Sequence, residues 1–516
     1  MYINDKLLIG KNGYREVSIL PKMANRHGLI TGASGSGKTI TLKVMAESFS
    51  DAGIPVFLSD VKGDIAGTAL AGEESEAVMS RVEKLGLEGF EFKKFPVRFW
   101  DLYGEKGHPI RTSISNVGSS ILSIMLGLSE AQEGILDIVF KIAEDEDLSL
   151  VDLKDLRSVL QYVADNRNEY TTKYGTVTTQ SIGVIQRSLL SLEKQGADYF
   201  FGEPSLDIKD FIDFEDGKGI VNILDAVKLF MSPDLYASFM LWLLTELFNT
   251  LPEVGDMDKP KIVFFFDEAH LLFDSMPPYR LKQITQVVKL IRSRGIGLYF
   301  VSQSPADIPG DIISQLGNRV QHNLRAYTPS EQKAVKVAAD AFRTNPAFNT
   351  YDAILSLGTG EALVSFQNEK GEPEVVEKVT ILPPQSKMGT LDEMSRNRII
   401  NNSKLIGKYE EKVDSESAFE KVTKINDDKK ALQEEMQRKI EEEKKAREAA
   451  KEAEKAQKEA DRIAKEKTRQ AEKAAKEAEK ARKNSIGYKV GKKVANKAMD
   501  KAINKGLNAV FKSLFK

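Results

Sequence analysis

The stretch that decides the fold is Gly28-Leu29-Ile30-Thr31-Gly32-Ala33-Ser34-Gly35-Ser36-Gly37-Lys38-Thr39-Ile40-Thr41-Leu42. A short apolar run leads into a glycine-rich loop and then a helical pattern, and residues 32–39 match G-x-x-x-x-G-K-[ST] in full. The glycines allow successive N–H groups to turn inward, so that they and the helix N-terminus can hold phosphate oxygens. We predict a phosphate-binding loop in which Lys38 reaches the β- and γ-phosphates of ATP and the Thr39 hydroxyl ligates Mg²⁺.

A second apolar run, Lys261-Ile262-Val263-Phe264-Phe265-Phe266, ends in Asp267-Glu268-Ala269-His270. At the C-terminal end of a strand in an open α/β sheet, side chains point into the ligand crevice. We expect Asp267 to hold Mg²⁺ through its water shell and Glu268 to orient and deprotonate the attacking water. For His270, a contact with the site and an ordinary structural role at a helix start both stay open.

Further polar residues flank neighbouring strands. Gln303 follows the run at residues 297–301, where its amide could sense the γ-phosphate or the attacking water. Arg292 and Arg294 precede that run, and either could complete a neighbouring subunit's site, although a solvated or salt-bridged role fits each equally well. Asp60 ends the run at residues 55–59, beside the phosphate loop, and is assigned a supporting role in nucleotide binding.

The chain up to about residue 384 alternates short β-rich runs with helical stretches, which predicts an α/β fold with a mainly parallel sheet. The strand-like runs begin at residues 28, 55, 219, 261 and 297. Residues 1–109 and 216–390 are interpreted as the two parts of one core, and residues 110–215 as an inserted helical subdomain.

The C-terminal part differs in composition. Residues 391–428 are interpreted as a linker, and residues 429–484, nearly all Ala, Glu, Lys and Arg, as a charged helix with acid-to-base pairs four residues apart. Its apolar seam is weak, so the pattern favours a solvated single helix over a coiled coil. Residues 485–516 form a basic amphipathic tail, for which an anionic membrane surface, nucleic acid, a neighbour's acidic core or its own protein are all candidate partners.

The composition of the chain excludes several kinds of site and several classes of protein. With 516 residues and 41% hydrophobic residues, the chain has enough apolar material for a large core, and the lack of cysteine excludes disulfides, a cysteine nucleophile and thiolate zinc sites. Neither a signal peptide nor a membrane-spanning run is recognisable, so we expect a cytoplasmic protein. The net charge of −2 divides into roughly −12 for residues 1–400 and roughly +10 for residues 401–516. The acidic core argues against a broadly basic nucleic-acid face but allows a basic channel.

Taken together, residues 32–39, 59–64 and 266–270, the Arg292-x-Arg294 turn, and residues 301–305 and 316–320 resemble the HerA/FtsK class of hexameric motors, and more closely its bacterial HerA-like subfamily. The resemblance covers about residues 1–390. It implies a RecA-like P-loop core, ATP and Mg²⁺ between subunits of a homo-hexamer, and action on double-stranded DNA threaded through a pore. Gln303 would take the family's sensor role, and Arg292 or Arg294 its arginine-finger role. A nuclease or another protein is a further candidate partner.

The chain departs from this class in two places. Archaeal-type members have an N-terminal β-barrel, whereas only about two dozen residues precede the first core strand here. The charged helix and the basic tail are additions that the resemblance does not explain.

Two function hypotheses follow. The first is an ATP-driven translocase or helicase-like hexamer whose ATPase is stimulated by duplex DNA. The second is a nucleotide-switched assembly protein whose helix and tail bind a membrane or partner without DNA translocation. A small-molecule kinase is disfavoured, because Asp267 and Glu268 suit a water-activating site and no acceptor site is evident.

Overall fold

The computed structural model describes residues 1–273, 276 and 278–483. The strands in these residues are β1 (Tyr2–Ile3), β2 (Lys6–Asn12), β3 (Arg15–Ile19), β4 (Gly28–Thr31), β5 (Val56–Asp60), β6 (Val97–Asp101), β7 (His108–Pro109), β8 (Phe214–Glu215), β9 (Lys218–Gly219), β10 (Val221–Asp225), β11 (Ile262–Phe266), β12 (Ile296–Ser302), β13 (Asn318–Gln321), β14 (Glu361–Ser365) and β15 (Glu377–Ile381).

The helices in the same residues are α1 (Lys38–Asp51), α2 (Glu76–Lys84), α3 (Ile114–Met125), α4 (Glu130–Asp145), α5 (Leu153–Asp165), α6 (Arg167–Tyr174), α7 (Thr179–Lys194), α8 (Ala197–Phe200), α9 (Pro233–Thr250), α10 (Pro278–Leu290), α11 (Gly310–Ile313), α12 (Pro329–Asp340), α13 (Thr350–Ser356), α14 (Glu393–Asn401) and α15 (Ala418–Lys483).

One large sheet organises the chain. Its parallel part runs in the order β13-β4-β12-β11-β5-β10-β6-β7, and antiparallel strands β14, β15, β2 and β1 extend it beyond β13, with β3 paired to β2. In a parallel sheet every strand ends at the same edge. The phosphate loop after β4 and the carboxylates after β11 therefore lie at one edge, on strands separated by β12 alone.

The strands of the parallel part are buried on both faces. Along β11, Phe264 and Phe266 join the apolar core on one side of the sheet, whereas Val263 and Phe265 join the core on the other side. Successive strand side chains point to opposite faces, so continuous apolar runs are needed wherever both faces are covered. Helix α1 covers one face, and α9, α10 and the helical region cover the other, which gives a three-layer α/β architecture.

The helical region predicted between the strands is present as α3 to α8. It lies between β7 and β8, and α3 packs against α9, so its core is continuous with the core on that face of the sheet. Several of its helices begin with a side-chain cap; the Asp152 carboxylate, for example, accepts the N–H groups of Lys154 and Asp155 at the start of α5.

The segment interpreted from sequence as a linker, residues 391–428, is instead packed on the core. Arg396 on α14 forms a 3.2 Å ion pair with Asp225, and the Tyr409 ring is fully buried. The charged helix begins at Ala418 rather than at residue 429, because buried Asp155 accepts hydrogen bonds from the Ser417 hydroxyl and the Phe419 N–H. These partners are distant in sequence, so local composition could not indicate them.

Helix α1 is fastened by two buried charged residues. One carboxylate oxygen of Glu47 accepts the N–H of Gln385 at 2.9 Å, and the other accepts the N–H of Ser386 at 3.1 Å and its hydroxyl at 2.5 Å. The Lys43 ammonium donates to the carbonyl oxygen of Lys387. We call residues 385–387 the strap, because they bind the helix that follows the phosphate loop.

The described chain divides into two units, Met1–Ile425 and a second that begins at Asn426. The side chains of residues 426–481 are almost all exposed, with i,i+4 ion pairs such as Glu454–Lys458 at 2.7 Å. Within the described residues, no helix is both long enough and apolar enough to cross a membrane. The basic tail predicted at residues 485–516 lies outside the described residues.

Candidate functional site

The phosphate loop needs glycine at two positions, one for its backbone conformation and one for close packing. Gly37, the residue before α1, has φ +113°, a conformation that L side chains rarely adopt. A Cβ on Gly32 would lie 2.5 Å from Cβ of His322. The His322 ring lies under the loop, with Nε2 2.8 Å from the Thr41 hydroxyl and Nδ1 2.9 Å from the carbonyl oxygen of Glu361. The loop is therefore held from below by a buried histidine.

Lys38 occupies the mouth of the loop. Its ammonium donates to the carbonyl oxygen of Gly32 at 2.5 Å and to that of Ala33 at 3.2 Å. Burial lowers the Lys38 pKa, whereas the nearby negative charges of Glu268 and Asp267 oppose that shift. Lys38 therefore lies within the electrostatic field of both carboxylates, as a site for a triphosphate and its metal requires.

The two carboxylates differ in their surroundings. Burial, and then repulsion from Glu268, raise the pKa of Asp267 to about 7. Its Oδ1 accepts the N–H of Glu268 at 2.9 Å. The Glu268 side chain is 13% exposed, and its Oε2 has no hydrogen-bond partner. A buried carboxylate oxygen without a donor is unusual and suits a group that works on a bound water or ligand.

The other predicted residues lie at different positions. Asp60 accepts the N–H groups of Gly63, Asp64 and Ile65 at 2.7 to 3.1 Å, so its carboxylate shapes the turn after β5. Gln303 is exposed at the end of β12, where Ser302 pairs with Thr31 directly before the phosphate loop. Asp60 and Gln303 thus share the sheet edge with Asp267 and Glu268.

Arg292 and Arg294 lie at the opposite edge, before β12 begins. Seven residues of β12 separate the two edges, a distance of about 20 Å at the usual rise of a strand. Arg294 donates to the carbonyl oxygen of Leu251 and stacks 4.4 Å from the centre of the Phe248 ring. Neither arginine can therefore reach the phosphate loop of its own chain.

Two cations, Arg26 and Lys62, were assigned no role from the sequence. Arg26 lies two residues before β4 begins, and its Nε is buried without a partner. Burial lowers the Arg292 pKa, and the nearby positive charge of Arg26 lowers it further. Lys62, in the turn shaped by Asp60, acts electrostatically on both Lys38 and Asp267. Comparing the residues that flank adjacent strands would have indicated both.

The site fits Mg-ATP chemically. Mg²⁺ prefers oxygen ligands and usually keeps several waters while binding one or two carboxylates and the substrate's phosphates. The Thr39 hydroxyl and the Asp267 carboxylate are such ligands, and the buried Ser36 hydroxyl in the loop has no hydrogen-bond partner. Among the described residues no three carboxylates or imidazoles form a metal site of their own. A Mg²⁺ ion here would take its other ligands from phosphate and water.

The fold and this site define a P-loop ATPase with a RecA-like core. The chain belongs to the helicase HerA-like C-terminal family, whose model matches residues 5–507.

Two relatives have names that indicate helicases. The chain is 31% identical over 110 residues to the probable helicase MJ1565 of Methanocaldococcus jannaschii, a match that covers 21% of this chain and 20% of the relative. It is 23% identical over 362 residues to the DNA double-strand break repair helicase HerA of Sulfolobus acidocaldarius, covering 69% of this chain and 65% of the relative. The chain thus spans about a fifth of the first relative and just under two thirds of the second.

Two solved structures are among those to which the chain is similar. The bacterial conjugative coupling protein TrwBdeltaN70 is 13% identical, with a TM-score of 0.48 over 75% of this chain and 92% of that one. VirB4 of Thermoanaerobacter pseudethanolicus is 13% identical, with a TM-score of 0.45 over 76% of this chain and 98% of that one.

Proposed function

We propose that this protein hydrolyses ATP with Mg²⁺ at the interfaces of a homo-hexameric ring and uses the reaction to move along or remodel double-stranded DNA. The observation that carries the proposal is that Lys38, Asp267 and Glu268 follow strands that end at one edge of the sheet. Arg26 and Arg292 precede strands that begin at the opposite edge. One chain supplies the phosphate loop and the carboxylates, and a second chain supplies the arginines.

The roles of the residues follow from this arrangement. Thr39 and Asp267 would hold Mg²⁺, which would supply positive charge to the bound phosphates. Glu268 accepts the proton of the attacking water, and Lys38 stabilises the phosphate oxygens. Arg292, which lacks the carbonyl and ring contacts that hold Arg294, is the stronger candidate for the arginine that acts in trans. Gln303 is proposed as the sensor of the γ-phosphate.

Double-stranded DNA is proposed as the substrate because the family and the two named relatives are described as helicases. The test is ATPase activity with and without duplex DNA, measured beside the native mass of the assembly. We expect a ring and a higher rate with DNA. Slow turnover that is indifferent to DNA, with tail-dependent binding to liposomes, would support the nucleotide-switched assembly protein instead. A cytoplasmic location, a nuclease or other protein partner and a membrane-bound tail stay predictions.

A further inference from the structure

The backbone at Glu268 adopts a rare conformation. Its φ of 48° and ψ of 45° place a non-glycine residue in the left-handed region, where side chains meet steric strain. Such outliers persist when surrounding structure enforces them, and they concentrate at functional sites. The strained backbone therefore indicates that this conformation places a side chain for the site.

Hydrogen bonds close the turn around this residue. The Glu268 N–H donates to Oδ1 of Asp267 at 2.9 Å, and the Glu268 carbonyl oxygen accepts the N–H of Leu271 at 3.1 Å. The carbonyl oxygen of His270 accepts the N–H of Phe273 at 2.9 Å. The left-handed residue and the 3-10 helix Ala269–Leu272 after it bring the side chains of Glu268 and His270 together.

The two side chains approach each other without completing a hydrogen bond. Nδ1 of His270 lies 3.5 Å from Oε2 of Glu268. Both atoms are buried, and neither has a hydrogen-bond partner. Two unpartnered buried polar atoms side by side are unusual, since buried polar groups are nearly always satisfied.

His270 differs in this respect from His27 and His322, two buried histidines that support the fold. Nε2 of His27 lies 2.8 Å from the carbonyl oxygen of Val288, and its Nδ1 accepts the N–H of Leu298 at 3.0 Å. Both ring nitrogens of His322 also have partners. The fourth histidine, His108, leaves its buried Nε2 without a partner, but its Nδ1 lies 2.6 Å from Oε1 of Glu410, whereas Nδ1 of His270 lies 3.5 Å from the carboxylate oxygen beside it.

We infer that His270 is a positioning residue for Glu268, an inference that rests on the proposed ATP hydrolysis. A shift of well under 1 Å would let Nδ1–H donate to Oε2, which would fix the carboxylate so that Oε1 faces the attacking water. In the reaction the water oxygen bonds to the γ-phosphorus, the bond to the β-phosphate oxygen breaks, and the water proton moves to Oε1. His270 acts only through Glu268 and does not touch the nucleotide.

The test compares His270→Ala, His270→Asn and His270→Gln in the full-length protein. The Asn amide can occupy the position of Nδ1, whereas the Gln amide corresponds to Nε2. We expect His270→Ala to lower kcat on the order of 10- to 100-fold, with Mg-ATP affinity and melting temperature unchanged. His270→Asn should restore most of kcat, and His270→Gln should not. Leu271→Ala, a change in the same turn away from Nδ1, is the matched control and should keep wild-type turnover.

A second measurement separates this inference from the proposed function. ATP turnover by the wild-type protein and its loss in Glu268→Gln together test the proposed function by itself. If those results hold and His270→Ala turns over ATP like the wild type, the positioning role alone is overturned. An equal loss of kcat in His270→Asn and His270→Gln, accompanied by a lower melting temperature, would also overturn the positioning role. Adding His270→Ala to Glu268→Gln should lower turnover no further, because the histidine acts through the carboxylate.

Discussion

The hydroxyl of Tyr236 donates a 2.7 Å hydrogen bond to the backbone carbonyl oxygen of Asp267. The same hydroxyl lies 2.9 Å from the Ser59 hydroxyl, which accepts the N–H of Asp267 at 3.3 Å. Tyr236 is fully buried on α9. The end of β11 is therefore held through its backbone by a phenol and a serine, and neither contact uses the Asp267 side chain.

Tyr236→Phe removes the only donor in this arrangement that reaches the Asp267 carbonyl oxygen from α9. We expect a loss of about 1–3 kcal/mol in the free energy of unfolding, because a buried acceptor loses its partner, and a weaker affinity for Mg-ATP. Urea denaturation and nucleotide titration measure the two effects. Tyr299→Phe is the matched control, since the buried Tyr299 hydroxyl donates to the Ala24 carbonyl oxygen on the far side of the sheet. It should lose similar stability and keep its nucleotide affinity.

Glu268→Gln should bind ATP but hydrolyse it on the order of 10²- to 10⁴-fold more slowly, because the amide cannot accept the proton of the water. Lys38→Ala should lose nucleotide binding or turnover, because the phosphates lose their lysine. Binding by equilibrium titration and turnover by phosphate release distinguish the two variants. Wild-type turnover in purified Glu268→Gln protein would contradict the assignment of Glu268 as the base.

Arg292→Ala should fold normally and lose ATPase activity on the order of a thousandfold. Mixing it with Lys38→Ala should restore part of the rate, since some interfaces then combine an intact phosphate loop with an intact arginine. Subunit exchange must be demonstrated separately. Arg294→Ala should instead lower the melting temperature, because Arg294 holds the Leu251 carbonyl oxygen. No recovery in exchanged mixed assemblies would contradict an arginine acting in trans.

Acid should destabilise the fold through two buried histidines. Burial lowers the pKa of His27, and likewise that of His322, to about 4 in the folded chain. In the unfolded chain each histidine has its ordinary pKa near 6.5. The unfolded chain therefore binds more protons than the folded chain between about pH 4 and pH 6.5. The stabilisation is therefore complete above about pH 6.5 and is lost as pH falls toward 4, by up to about 1.4 kcal/mol per pH unit for each histidine.

Urea midpoints at pH 7.5 and pH 5 measure this loss. His27→Gln should be less stable than the wild type at pH 7.5 and should lose less on acidification, because one titrating ring is gone. An unchanged acid loss in that variant would contradict the assignment to His27.

The sequence predicted the family and the RecA-like fold, and both are confirmed. The reason is that the deciding signals are contiguous: an apolar run buried on both faces, followed directly by the loop or carboxylates that it positions. β4 with the phosphate loop and β11 with Asp267 are such units.

The rest depends on residues far apart in the chain. The contacts of Asp155 with residues 417 and 419, and those of Glu47 with the strap, join segments more than 200 residues apart, so composition alone suggested a linker at residues 391–428. The orphaned oxygen of Glu268 also leaves no trace in the sequence, because it results from a backbone conformation.

Lys43 and Glu47 anchor the helix behind the phosphate loop to the strap, and His322 supports the loop from below. A helix secured by buried charges has little freedom to shift between nucleotide states, since each displacement would strip charged groups of their partners. We expect the phosphate loop to keep its position when the bound nucleotide changes. In the proposed ring, we therefore expect movement to arise in the neighbouring subunit that approaches the bound phosphates.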